Sequence, residues 1–239
     1  MEQSAIITLA SLALAGCKRY SGASGHLVRT AYMSTCLAAL LGLDSREQER
    51  IRLVTPVHDI GKLAVSDDVL LKPGLLDTSE RRVMERHSTI GAEILSGSAD
   101  ELLQFAGMIA RHHHERFDGS GYPDRLASSD IPIAARIVSV ADAFDAMTEQ
   151  RCYRPGMSDH DASSIIVASS GSMFDPDVVA AFERHAGVVD DAREFANDLL
   201  AMGDDIDMIE KIYGRRSREC VDRPVVVRAA GRSAILSAG

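Results

Sequence analysis

Helical periodicity runs through nearly the whole of this 239-residue chain, and it is the feature that most narrows what the chain can build. Leu27, Ala31, Leu37, Leu40 and Leu41 recur close to a 3.6-residue period, and Gly42 follows as a stop. Asp44 or Ser45 can cap the next helix, which runs through Ile51, Val54 and Val57 to His58 and Asp59. Thr78 or Ser79 opens a helix to Leu95, and residues 100–114 form another. Pro132 opens a helix over 133–149, and shorter ones fit 159–169 and 176–185. Pro73-Gly74 and the stretch Asp118–Pro123 are loops by composition. No segment offers a set of alternating strands except Pro224–Arg228, so the expected fold class is all-α.

Composition removes several function classes. Apolar residues make up 46% and charged ones 26%, the balance of a folded soluble domain. A net charge of −9 argues against wholesale binding to DNA, RNA or anionic membrane. Tryptophan is absent, which leaves little for a base-stacking platform. Cys17, Cys36, Cys152 and Cys220 form no C-x-x-C pair, so a reducing, cytoplasmic setting is expected rather than a disulfide framework. The apolar run 5–16 ends in a lipoprotein-like Leu-Ala-Gly-Cys, but no basic residue precedes Lys18 and the run is too short for a bilayer. It reads as a buried first helix, with no membrane span. Residues 190–210 hold eight acidic side chains and one Arg, an acidic surface helix, and the last 25 residues read as a loosely ordered tail.

Chemistry concentrates in the histidines. Six of the eight lie between His26 and His114: His26, His58, His87 and the triplet His112-His113-His114. Asp59 follows His58, and Asp142 sits in the middle of an apolar helix where a carboxylate is costly without a cation or a donor. Imidazole with carboxylate and no thiolate suits iron, manganese, nickel or zinc. If His58 and Asp59 share a helix they point about 100° apart. They could then serve neighbouring ions, with the two-oxygen Asp59 as the bridge. Two such ions about 3.5–4 Å apart would make a phosphoester-hydrolysing site.

The flanking words are recognisable. His58-Asp-Ile-Gly-Lys62, Lys72-Pro-Gly74, His87 with Ile90-Gly91, and His113-His-Glu-Arg-Phe-Asp-Gly-Ser-Gly-Tyr-Pro123 closely resemble the HD-GYP family. Ala135–Thr148 with Asp142, Arg151-Cys-Tyr-Arg154 and Phe174-Asp-Pro176 continue the match, which covers about residues 10–186. The resemblance implies an HD-type helical bundle over 1–187, with the acidic helix and tail of 188–239 appended. It implies a bacterial metal-dependent phosphodiesterase opening cyclic di-GMP to pGpG and onward to GMP. The implied metal ligands are His26, His58, Asp59, His87, His113, His114 and Asp142, with His112 a neighbour of the pair. Lys62 would meet a phosphate or leaving oxygen, Arg151 and Arg154 would hold the substrate's phosphates, and Tyr122 would present itself from the loop that names the family. Asp145, one turn after Asp142, would face the same cleft and relay a proton.

Departures refine that expectation. Relatives with a third metal carry a Glu about one turn before the upstream His, and no acid lies between Glu2 and His26 here. Two divalent ions are therefore expected, Fe or Mn first, with Ni, Zn, Mg or Ca behind them. Ser88 replaces a Pro, and Arg125 stands where Gly is usual. With no receiver or sensor segment expected ahead of the domain, regulatory input would come from a partner, or the chain would stand alone. The family links its Tyr loop to diguanylate cyclase (GGDEF) proteins, and a homodimer is a further option. Hydrolysis of another cyclic dinucleotide or nucleotide, and a slow or non-catalytic cyclic di-GMP sensor, are the competing readings.

Overall fold

The computed structural model describes residues 2–19, 23–149, 156–201, 203, 205–213, 227–229 and 232–234. Its order is α1 (Glu2–Arg19), α2 (Ala23–Leu40), α3 (Ser45–Val54), α4 (Asp67–Leu70), α5 (Thr78–Ser96), α6 (Glu101–His112), α7 (Ile133–Thr148), α8 (Asp159–Ala168), α9 (Pro176–Arg184), α10 (Ala186–Ala201) and α11 (Asp205–Tyr213). The fold is an all-α bundle. Two three-residue strands, Val227–Ala229 and Arg232–Ala234, pair antiparallel within the segment expected to be a loose tail.

α2 is the central helix, with α3, α7 and α10 against it, while α5 and α6 pack along one another. Leu9, Val28, Met33, Leu37, Ile51, Ile109, Ile137 and Phe144 are fully buried in the shared core. Phe144 meets Phe182 edge to face at 5.1 Å. The apolar N-terminal run is a core helix, burying Ala5, Leu9, Ala13 and Cys17. No described helix is long and apolar enough to cross a membrane.

Local signals account for the helix ends. The cap of α5 lies one residue before the expected Thr78: Asp77 accepts from the backbone N–H groups of Ser79 and Glu80, and Glu80 closes the reciprocal half of a capping box. The acidic stretch after Gly187 forms two helices. Val189, Ala192, Ala196 and Leu199 of α10 turn inward to α2, Ile209 and Ile212 of α11 are also buried, and α11 lies on α1. Asp191, Glu194, Asp198 and Asp207 are exposed on the outer faces, as amphipathic helices require.

One expected element breaks early, and the break builds the site. α3 does not reach His58-Asp59: it ends at Val54 and gives way to a 3-10 turn at Thr55–Val57. Pro56 has no N–H to continue the α ladder, and its ring opposes the preceding turn. His58 closes that turn, and Asp59 precedes a second 3-10 segment, Ile60–Ala64.

Candidate metal centre

Three histidines share one bracing scheme. His58 Nδ1 lies 2.7 Å from the Thr55 carbonyl, His87 Nδ1 2.7 Å from that of Met84, and His113 Nδ1 2.9 Å from that of Ala110. A carbonyl only accepts, so in each ring Nδ1 is the donor and the Nε2 lone pair is left to face the interior. A one-turn backbone anchor on each ring is the usual support for a metal-binding imidazole.

Gly61 makes their meeting feasible. A Cβ there would stand 1.9 Å from the His87 carbonyl and 2.6 Å from the Gly91 amide nitrogen. Only a bare Cα lets the 60–64 turn press against α5, which brings Asp59 to His87.

The side chains converge as two groups. Asp59, His87, His113 and His114 form one, and His26, His58 and Asp59 the other, with ligand atoms within 4.8 Å of one another in each. Asp59 belongs to both. Its Oδ1 is 3.2 Å from His87 Nε2 and 3.6 Å from His113 Nε2, while Oδ2 is 3.6 Å from His58 Nε2. Asp142 Oδ1 stands 3.1 Å from His26 Nε2 and 3.6 Å from His58 Nε2.

Two atoms test whether this set fits cations. His58 Nε2 is buried with no hydrogen-bond partner. His87 Nε2 and His113 Nε2 face each other at 3.4 Å, although both Nδ1 atoms are already spent as donors. Facing lone pairs are repulsive until something positive lies between them. The donor set fits divalent cations bound through imidazole and carboxylate.

Electrostatics point the same way. Burial works to raise the Asp59 carboxyl, but Lys62, His58, His113 and His87 outweigh it and hold it well below the usual carboxylate range. Asp142 is likewise held low against its burial by His26 and His58. Burial depresses His113 and drives His114 well below an ordinary imidazole, keeping both neutral and ready to coordinate. Burial would lower His26 too, yet Asp142 and Asp145 overcome it and push it up to about 10.

Other expected residues take different places. Lys62 Nζ pairs with Asp59 Oδ2 at the mouth of the site. Asp145 does not face the cleft: it is 1% exposed and lies behind His26, accepting from His26 Nδ1 at 2.8 Å and from Arg29 Nε at 2.6 Å. One α-helical turn separates it from Asp142, and the intervening His26 ring puts the two carboxylates on opposite ring nitrogens. Tyr122 stacks on the His114 ring at 5.0 Å and meets the edge of His87 at 6.4 Å. His112 turns away to Asp124 at 3.6 Å, outside the cluster. Arg151 and Arg154 lie outside the described residues.

Three supports were not read from the sequence. Gly61 is one. Arg29 is another, joining Asp145 to Glu149 at 2.7 Å, and its place three residues after His26 was the available signal. Glu115 is the third, accepting from the backbone of Asp124 and Leu126 at 2.7 and 3.2 Å and so holding the Tyr122 loop.

The HD domain family matches residues 11–178 of the chain. The cyclic di-GMP phosphodiesterase response regulator RpfG of Xanthomonas campestris is 45% identical over 74% of this chain and 47% of its own length. The 3'3'-cGAMP-specific phosphodiesterase 2 of Vibrio cholerae is 42% identical over 67% of this chain and 31% of its own. The chain thus spans half or less of these curated relatives. Among solved structures, an HDG"Y"P protein of Bdellovibrio bacteriovorus shares the fold, with TM-score 0.55 and 18% identity over 73% of this chain and 56% of its own.

Proposed function

The chain belongs to the HD-domain family, and on that premise we propose that it is a metal-dependent phosphodiesterase that hydrolyses cyclic di-GMP to pGpG and onward to GMP. The observation that carries this reading is the shared carboxylate of Asp59 between two imidazole groups, with His58 Nε2 buried beside it and making no hydrogen bond. Two divalent ions, iron or manganese first, would be held by His87, His113, His114 and Asp59 on one side and by His26, His58, Asp142 and Asp59 on the other. Bound there, they would supply Lewis-acid polarisation of water and of the phosphoryl oxygens.

The chain's own residues do the rest. Lys62 brings an ammonium to the mouth of the site, where it can leave Asp59 for a phosphate oxygen. Arg151 and Arg154 are assigned to the substrate's phosphates, a task suited to a guanidinium fork. Tyr122 walls the His87–His114 side. Asp145, held by Arg29, keeps His26 Nδ1 occupied as a donor so that Nε2 faces Asp142. A cytoplasmic setting suits such a signalling hydrolase.

The 3'3'-cGAMP named for the Vibrio relative is the second substrate reading. Metal analysis of anaerobically purified protein, with product analysis on cyclic di-GMP, tests the whole reading. Close to two ions per chain and release of pGpG are expected. Tight binding of cyclic di-GMP without cleavage by the metal-loaded chain would leave a sensor instead.

A further inference from the structure

Beside the metal centre, α5 and the 119–125 loop enclose an open groove of about 630 Å³. That volume falls within the range of small-molecule sites. Arg82, Glu85, Arg86 and Thr89 recur along one stripe of α5, and Tyr122 and Arg125 face them from the loop. Among the described residues, Arg82, Arg86 and Arg125 have no ion-pair partner, and Glu85 has only Arg81, at 4.0 Å. Tyr122 is common to both places, since its ring also packs on His114.

Arg125 is held there against its own preference. Its φ is +57°, a left-handed conformation that a long side chain rarely adopts. Glu115 fixes the backbone on both sides of it, through Asp124 and Leu126. A strained backbone, clamped so that an arginine faces a groove, is a reason to look for a ligand.

The chemistry of the lining narrows the ligand. A groove for phosphate alone would be weakened by Glu85. Guanine offers what the mixed set needs: O6 and N7 accept from a guanidinium fork, and its N1 and N2 hydrogens suit a carboxylate. Adenine presents the reverse pattern, with an amino donor where guanine has O6. An aromatic wall such as Tyr122 suits a planar base.

From this we infer that the groove is a guanine subsite, in which Arg82, Arg86 and Arg125 read O6 and N7 and Glu85 reads the N1 and N2 hydrogens. This deepens the proposed function and rests on it: one guanine of the cyclic dinucleotide occupies the groove while a phosphate lies over the metals. Arg125, where the family's usual residue is Gly, is this chain's own contribution.

The test is kcat/KM on cyclic di-GMP, 3'3'-cGAMP and cyclic di-AMP, for the metal-loaded full chain and for Arg86→Met, Glu85→Gln and Arg125→Gly. Gly relieves the positive φ, so the last variant removes the side chain without disturbing the loop. Wild type should favour both guanine-containing substrates over cyclic di-AMP, and each variant should shrink that preference by about 10-fold or more, the usual discrimination of a bidentate base contact. Equal losses on all three substrates would make the arginines phosphate ligands and overturn the guanine assignment, as would no change on any. Wild-type hydrolysis of bis(p-nitrophenyl) phosphate reads the metal centre separately. Equilibrium binding of GMP against AMP reads the groove even if no cyclic dinucleotide is cleaved: a GMP preference lost in Glu85→Gln supports the subsite, and equal binding overturns it.

Discussion

The two halves of the metal centre are not braced alike. On one side, His87 and His113 are each anchored by the carbonyl of a residue three positions earlier in its own segment. On the His26 side, His58 has the same kind of anchor in the Thr55 carbonyl, but His26 is held by a side chain from another helix: Asp145 of α7 holds His26 of α2, and Arg29 ties Asp145 to Glu149. A backbone anchor comes free with the turn that carries the histidine. A carboxylate anchor has to be held by tertiary packing and must itself be kept ionised. His87, His113 and His58 are thus secured by local structure, and His26 depends on α2 and α7 staying in register.

Breaking what both halves share has the largest expected effect. Asp59→Ala removes the carboxylate common to the two groups, so metal analysis should find neither ion retained, with turnover down by about 1000-fold or more. His112→Ala, in the same histidine-rich stretch but turned toward Asp124, should cost less than about threefold. Similar losses in both would mean that the wrong pair of the triplet has been assigned.

Gly61→Ala attacks the local half through the backbone. The added Cβ would collide with the His87 carbonyl, so the 60–64 turn must leave α5 or α5 must yield. Overpacking of this kind costs on the order of 1–3 kcal/mol. In a domain of this size that lowers Tm by several degrees. Thermal unfolding and metal content should fall together, and a variant with wild-type values of both would show that Gly61 has no part in placing Asp59.

Asp145→Asn and Arg29→Met test the tertiary brace and should be milder. Loss of a supporting partner of a metal-bound histidine typically weakens metal affinity about 10- to 100-fold. The loss should fall on one ion of two, read as a drop toward one per chain at limiting metal. Uniform loss of both ions would show that the two halves are not independent.

The contrast also explains what could be read in advance. His58, Asp59, His87, His113 and His114 stand in the short words that carry the family resemblance, and the structure brings them together. Asp142 was visible because a carboxylate in an apolar helix needs a reason. Asp145 was misplaced because helical periodicity gives the direction of a side chain but not what stands in front of it, here the His26 ring. Apolar spacing alone carries α3 on to His58 and Asp59, whereas Pro56, with no N–H for the ladder, ends it at Val54. Arg29 and Glu115 act across 116 and 9 residues of sequence, and only the packed structure connects them to their partners.

The smallest expected effect separates the halves by charge. In the metal-free chain His26 carries a proton at neutral pH, since Asp142 and Asp145 outweigh its burial and push it up to about 10 from an ordinary 6.5, whereas burial keeps His113 and His114 neutral. A group whose folded value is raised contributes stability that is fully present below the unfolded value and is lost as pH rises through the folded one. Metal-free protein should therefore lose a few degrees of Tm between about pH 6.5 and pH 10, and His26→Gln should flatten that slope. Loading with metal should flatten it too, because the cation takes the place of the proton between His26 and Asp142 and the uptake releases that proton to solvent. A slope unchanged in His26→Gln would assign it to other titrating groups and remove the charge difference between the two halves. A slope that persists after metal loading would mean that His26 keeps its proton and is not a ligand, leaving Asp142 and His58 to hold the second ion with Asp59.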